Sequence, residues 1–231
     1  MRVLGVAVVV LAGVSGTALQ SQAPAAPACR VAMTASRTHQ TGGGLTADTV
    51  TTCSFDRAKL EETCRNLYKD SAGNSLDSET KTKYASIDDV LAEVRVVPPL
   101  RRSLRSDTVM RVPPTGSSSL VNTYDAQGRL IREVGTTGTG PALTTTHTAW
   151  DASGRPTAST VTSPPSGTHT QRFSYNGLTQ VLSKTMAGGT TVCNTLFDAD
   201  GIQTTSTCTG PTPGSDTVFK VTIEKTEKIC R

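Results

Sequence analysis

The sequence predicts a mainly β protein, an antiparallel meander of short hairpin repeats carrying one short helix at about residues 86–94. Three observations predict it. First, an aromatic residue, then Asp or Asn, then a Gly-bearing turn recurs as Tyr124-Asp125, Trp150-Asp151, Tyr175-Asn176 and Phe197-Asp198, at intervals of 26, 25 and 22 residues. Recurrence at that period marks an array of like units. Second, the flanks are rich in Thr, Val and aromatics, which suit a pleated, half-buried surface. From Thr115 to Ser215, 24 of 101 residues are Thr, so a thin apolar face backed by a hydroxyl-rich one is expected. Third, Ser86-Ile87-Asp88-Asp89 resembles a capping box, and Ile87, Val90, Leu91 and Val94 follow at helical spacing. Pro98-Pro99 stops what continues.

In chain order, residues 1–18 read as a secretory signal. Met1-Arg2 supplies the charge, Val3 to Val14 the apolar stretch, and Gly16-Thr17-Ala18 the small residues of a cleavage site. The stretch is shorter than the roughly 20 residues a spanning helix needs, so no membrane span is expected after cleavage. Residues 19–46 read as a disordered linker and lead-in. Residues 47–112 form degenerate hairpins, the helix and a Pro/Arg connector. Residues 113–231 form the repeat sheet and a C-terminal strand.

Export makes the six cysteines readable as disulfides. Cys193 and Cys208 flank the turn after Phe197-Asp198, at positions directly opposite one another across it. A fifth aromatic-Asp pair, Phe55-Asp56, is flanked in the same way by Cys53 and Cys64, one pleat nearer the turn. Side chains two residues apart share a face. The expected bridges are therefore Cys53–Cys64 and Cys193–Cys208, leaving Cys29–Cys230 to join the ends. Leu60, Cys64, Leu67 and Tyr68 also have helical spacing, but the matched cysteine offset favours a hairpin here. Asp70 to Gly73 supplies another Asp-x-x-Gly turn.

Each repeat turn has its own chemistry. Asp at the first position bonds the backbone two residues on, and Gly at the fourth takes φ > 0. The pairs are Asp125/Gly128, Asp151/Gly154 and Asp198/Gly201. Asn176-Gly177 reads instead as a two-residue type I′ turn. One hairpin alone is marginal in water, so neighbouring hairpins must pair edge to edge, with their aromatics in register.

These residues resemble the YD-repeat, or Rhs-repeat, family, whose signature is Tyr-Asp followed by a Gly-Arg turn. Tyr124, Asp125, Gly128 and Arg129 match it fully. Trp150, Asp151, Gly154 and Arg155 match with Trp for Tyr, Phe197, Asp198 and Gly201 match without the Arg, and the third copy keeps Tyr175 and an Asn. The resemblance covers about residues 120–208. It implies a hairpin-repeat sheet, which in members with dozens of repeats winds into a hollow shell around a toxin. Four or five repeats are too few for such a shell. The resemblance also suggests carbohydrate as a ligand class.

The remaining residues offer little catalytic chemistry. His39, His147 and His169 lie in Thr/Ser-rich segments without a second ligand at metal spacing, and read as exposed polar residues. No GxSxG elbow occurs. Asp125, Asp151 and Asp198 are accounted for by turns, so no catalytic residue, metal or cofactor is assigned. The net charge is +4, or +3 without Arg2. Arg95, Arg101, Arg102, Arg105 and Arg111 crowd one stretch, of which Arg101, Arg102 and Arg105 form a candidate polyanion patch. Without interleaved aromatics, nucleic-acid binding is not expected. The sequence points to a non-catalytic bacterial protein, secreted or periplasmic or at the cell surface, that binds carbohydrate or another envelope protein. Two alternatives remain: an accessory of a toxin-type Rhs system that takes a partner protein through an open sheet edge, and a hydrolase with an unrecognised site.

Overall fold

Short Thr-rich segments punctuated by Asp/Gly turns can satisfy their backbone only by pairing with neighbours, and here they do so all the way round. The computed structural model describes residues 28–91, 103–110, 116–165, 167–186, 188–211 and 216–231. These residues form fourteen strands and one helix. The first half comprises β1 (Cys29–Gly42), β2 (Leu45–Asp56), β3 (Glu61–Asp70), β4 (Ser75–Tyr84), α1 (Ile87–Leu91), β5 (Ser103–Met110), β6 (Gly116–Tyr124) and β7 (Leu130–Thr137). The second comprises β8 (Leu143–Trp150), β9 (Pro156–Ser163), β10 (Gly167–Asn176), β11 (Thr179–Met186), β12 (Gly189–Phe197), β13 (Gln203–Thr209) and β14 (Thr217–Cys230). Each strand pairs antiparallel with the next, and β1 pairs with β14, so the meander closes into a barrel.

Closure corrects two expectations. Residues 29–42, assigned to the linker and lead-in, form β1. Its partner β14 lies at the other end of the chain, a pairing that local composition cannot announce. The two end strands are also not left as the open edges of a sheet, because β1 and β14 pair with each other, although β14 meets β13 only over residues 217–220.

Side chains alternate between lumen and solvent, as the period of two requires. In β10 the inward residues are His169, Gln171, Phe173 and Tyr175, and the exposed ones include Thr170, Arg172 and Ser174. The outward positions of β3 and β4 carry Glu61, Arg65, Lys69, Asp77, Lys81 and Lys83. Arg65 grips Asp77 with two hydrogen bonds of 3.0 and 2.6 Å. Hydroxyls occupy both faces rather than one, with most charges outside and a few, such as Arg30, Glu62, Glu133 and Lys184, inside.

The apolar core is small and sits at one end. There α1 plugs the barrel: Val90 and Leu91 are fully buried against Ala32, Tyr84 and Ile229, with Phe55, Leu60 and Ile87 beside them. Ser86 caps the helix, accepting from the Asp89 amide at 3.1 Å and donating to its carboxylate at 2.7 Å. The helix starts as expected, and expected residues 92–94 lie outside the described segments. Arg231 reaches Asp88 at 2.8 Å and ties the last strand to the plug. The repeat turns open at this same end. The opposite end carries the Gly43-Gly44 loop and the Asp70 turn.

Candidate functional site

The repeat turns are built from one local rule. In the Asp125 loop, the Gly128 amide donates to the Asp125 carbonyl at 2.9 Å, and the Gln127 and Arg129 amides donate to its carboxylate at 3.0 and 2.8 Å. The Asp151 and Asp198 loops repeat these bonds, as does the Asp70 loop at the opposite end. Gly128, Gly154 and Gly201 take φ of 76, 80 and 73°. The third repeat differs from expectation by one residue. Asn176 pairs with Thr179, so the two-residue loop is Gly177-Leu178, with Gly177 at φ 55°. Positive φ at the first position alone belongs to type II′, where Gly leads the turn.

Sequence reasoning missed what the repeat arginines and aromatics do together. Arg129 bonds Asp125 at 2.7 Å and lays its guanidinium 4.7 Å from the ring centre of Trp150, in the next repeat. Arg155 does the same with Asp151 at 2.6 Å and Tyr175 at 4.0 Å. The stacked aromatic then donates to the carbonyl after the arginine: Trp150 to Leu130 at 3.0 Å, Tyr175 to Pro156 at 2.7 Å. Tyr124 donates likewise to Ser103 at 2.9 Å. Burial pushes the Tyr124 phenol up to about 12. This ladder locks consecutive repeats and leaves its polar groups engaged with one another. The signal was present in the Gly-Arg of two repeats, but the partner lies a repeat away.

The three disulfides join Cys29–Cys230, Cys53–Cys64 and Cys193–Cys208, as expected, and the described residues contain no free cysteine. Cys53 and Cys64 line a luminal cavity of about 340 Å³ together with Ser36, Thr38, Thr51 and Glu62. Glu62 is held beside the buried Arg30 at 3.7 Å.

A second luminal cavity, of about 480 Å³, lies in the β5–β9 wall, lined by Ser106, Thr108, Ser118, Gly135, Leu143 and Ser163 among others. Next to it the register lays polar side chains across five strands. His147 of β8 faces Ser159 of β9, Ser159 faces Gln171 of β10, and Gln171 faces Lys184 of β11. His147 is buried and its Nε2 meets Glu133 of β7 at 3.1 Å. Ser159, also buried, donates to Gln171 Oε1 at 3.2 Å. His169 sits one pleat along, its pKa lowered by burial and by Lys184. The expectation of three exposed histidines thus holds for His39 alone, which meets Asp48 at 2.8 Å on the outer face. His147 and His169 fall at inward positions of their strands, a parity that only the register reveals. Ser159 is bonded to Gln171 while His147 is bonded to Glu133, so the bond a serine nucleophile needs from a base is not made.

Of the arginine patch, Arg105 pairs with Asp107 at 2.8 Å, and Arg101 and Arg102 lie outside the described residues. Among the described residues, no three His, Cys, Asp or Glu side chains gather as metal ligands. No helix there is long and apolar enough to cross a membrane.

No protein-family model matches the chain, and no curated protein does. Among solved structures, a porin-like protein from Bacteroides uniformis aligns at a TM-score of 0.42 with 9% identity, over 88% of this chain and 99% of that one. Likeness at that level carries no argument about function.

Proposed function

We propose that the protein is a water-soluble, extracytoplasmic YD-type β-barrel that binds a polar ligand of carbohydrate class in its lumen and does not act on it. The observation that carries this reading is the lumen itself. Its walls present Ser, Thr, Gln and Glu side chains around cavities of about 340 and 480 Å³, within the range of roughly 300–1,000 Å³ typical of ligand sites. Hydroxyl and amide groups match the donors and acceptors of a sugar. The charged outer face of β3 and β4 supports a barrel standing in water, since a lipid-facing barrel needs an apolar outer band. Three disulfides support an oxidising compartment. The four Asp-centred turns with positive-φ glycines support the YD resemblance. The unmade bond between Ser159 and His147 supports binding over hydrolysis.

A glycan array probed with the mature protein, at low and at physiological salt, tests the reading. Retention of a defined set of glycans at both salts is the expected result, and an array left blank at both salts overturns it.

A further inference from the structure

We infer that Lys184, His169 and Gln171 form an oxyanion site on the luminal wall, taking the carboxylate or phosphate of a hydroxylated ligand. This inference rests on the proposed luminal ligand and names the group that would anchor it.

Three donors occupy neighbouring inward positions of β10 and β11. Lys184 is half-buried on the inward face of β11 and makes no hydrogen bond or ion pair with any described residue. His169 has its Nε2 buried without a partner, and a buried ring nitrogen left unbonded is costly. Gln171 accepts from Ser159 through Oε1, which leaves its amide protons to donate. Gln171 and Lys184 are direct cross-strand partners, so their side chains start about 5 Å apart. His169 is diagonal to Lys184, within reach of a long side chain. Burial, with Lys184 adding to it, holds His169 toward its neutral form, in which the tautomer bearing hydrogen on Nε2 is a donor. The one acid of this wall, Glu133, is occupied by His147, four strands from Lys184.

The site is also reachable. Glu133, Thr145, Val161 and His169 form one continuous inward row. The next pleat toward the rim carries Gly135, Leu143 and Ser163, which line the 480 Å³ cavity. His169 lies one pleat from that lining and one strand beyond Ser163, and Lys184 a further pleat and strand along, so a ligand would reach them by extending along the wall past the cavity.

The test follows the His169 ring by NMR while inorganic phosphate, D-galacturonate, glucose 6-phosphate and galactose are added in turn to the mature protein. The expected result is a saturable shift of His169 with the anionic probes, weakened at least tenfold in Lys184→Gln and restored in Lys184→Arg. Comparing galacturonate with glucose 6-phosphate tells carboxylate from phosphate. His169→Gln, followed by calorimetry, gives the same loss by a second route. Thermal melts of each variant establish that it is folded. If neutral glycans bind but none of the anions moves His169, the oxyanion site is wrong and the luminal reading stands. If phosphate moves His169 but the glycan array stays blank, the oxyanion site stands and the carbohydrate reading falls. A response unchanged in Lys184→Gln overturns the assignment.

Discussion

Asp125 does the work of a short stretch of backbone: one carboxylate receives two amides and a guanidinium, and its own carbonyl receives a third amide. Replacing it by Ala removes the side-chain bonds and is expected to cost about 1–2 kcal/mol in urea unfolding. Gly154 is sensitive for a different reason. Its φ of 80° is closed to β-branched residues, while a Cβ there would make only ordinary contact with the Arg129 side chain at 3.6 Å, so the cost lies in the backbone. Gly154→Val should therefore destabilise by more than about 1 kcal/mol, and an unchanged midpoint would count against the turn. These carboxylates also link the fold to acid. The Asn74 side chain and backbone amides hold Asp70 below the usual carboxylate range against the opposing effect of burial. In Asp125, burial raises the value and the Arg129 amide, guanidinium and charge outweigh it. A depressed folded pKa means stabilisation present above about 3.9, the unfolded value, and lost as pH falls through the folded one. Melting temperature should fall from pH 5 to pH 2, and less steeply in Asp70→Asn. The turns were legible because Asp and Gly act on their immediate neighbours. Gly177 was misplaced by one residue because Asn-Gly suits one turn type and Gly-Leu another, and pairing register chose.

At the scale of elements, the cysteines were legible because opposition across a tight turn is simple arithmetic. Non-reducing peptide mapping should recover 53–64, 193–208 and 29–230. In a loop-closure model, each hairpin bridge contributes about 3 kcal/mol and the long one about 5 kcal/mol, so Cys29→Ser with Cys230→Ser should lower the melting point more than either hairpin pair. The Arg-aromatic ladder was not legible, since it couples residues of successive repeats through stacking. Arg155→Ala leaves Tyr175 without its cation and Asp151 without its side-chain donor. A loss of about 1 kcal/mol is expected. In a double-mutant cycle, Arg155→Ala with Tyr175→Leu should show coupling that Arg129→Ala with Tyr175→Leu lacks.

For the whole molecule, composition identified a Thr-rich sheet but not a closed one, because closure depends on β1 finding β14 rather than on any local preference. The luminal site was hidden for the same reason: Glu133, His147, Ser159, Gln171 and Lys184 come together only once five strands are in register. That seam has a consequence for the order of events. Every other pairing joins strands consecutive in sequence, whereas β1 and β14 pair across gaps such as that between Cys29 and Cys230, 201 residues apart. Loop closure is costly before non-local contacts repay it. The sheet should therefore assemble as an open curl whose two free edges meet last. Quenching oxidative refolding with a thiol-blocking reagent should trap a species that holds 53–64 and 193–208 while Cys29 and Cys230 are still alkylated. During that interval the unpaired edges of β1 and β14 are available to another molecule, so dimers and larger aggregates should rise with protein concentration only while the last pair of thiols is reduced.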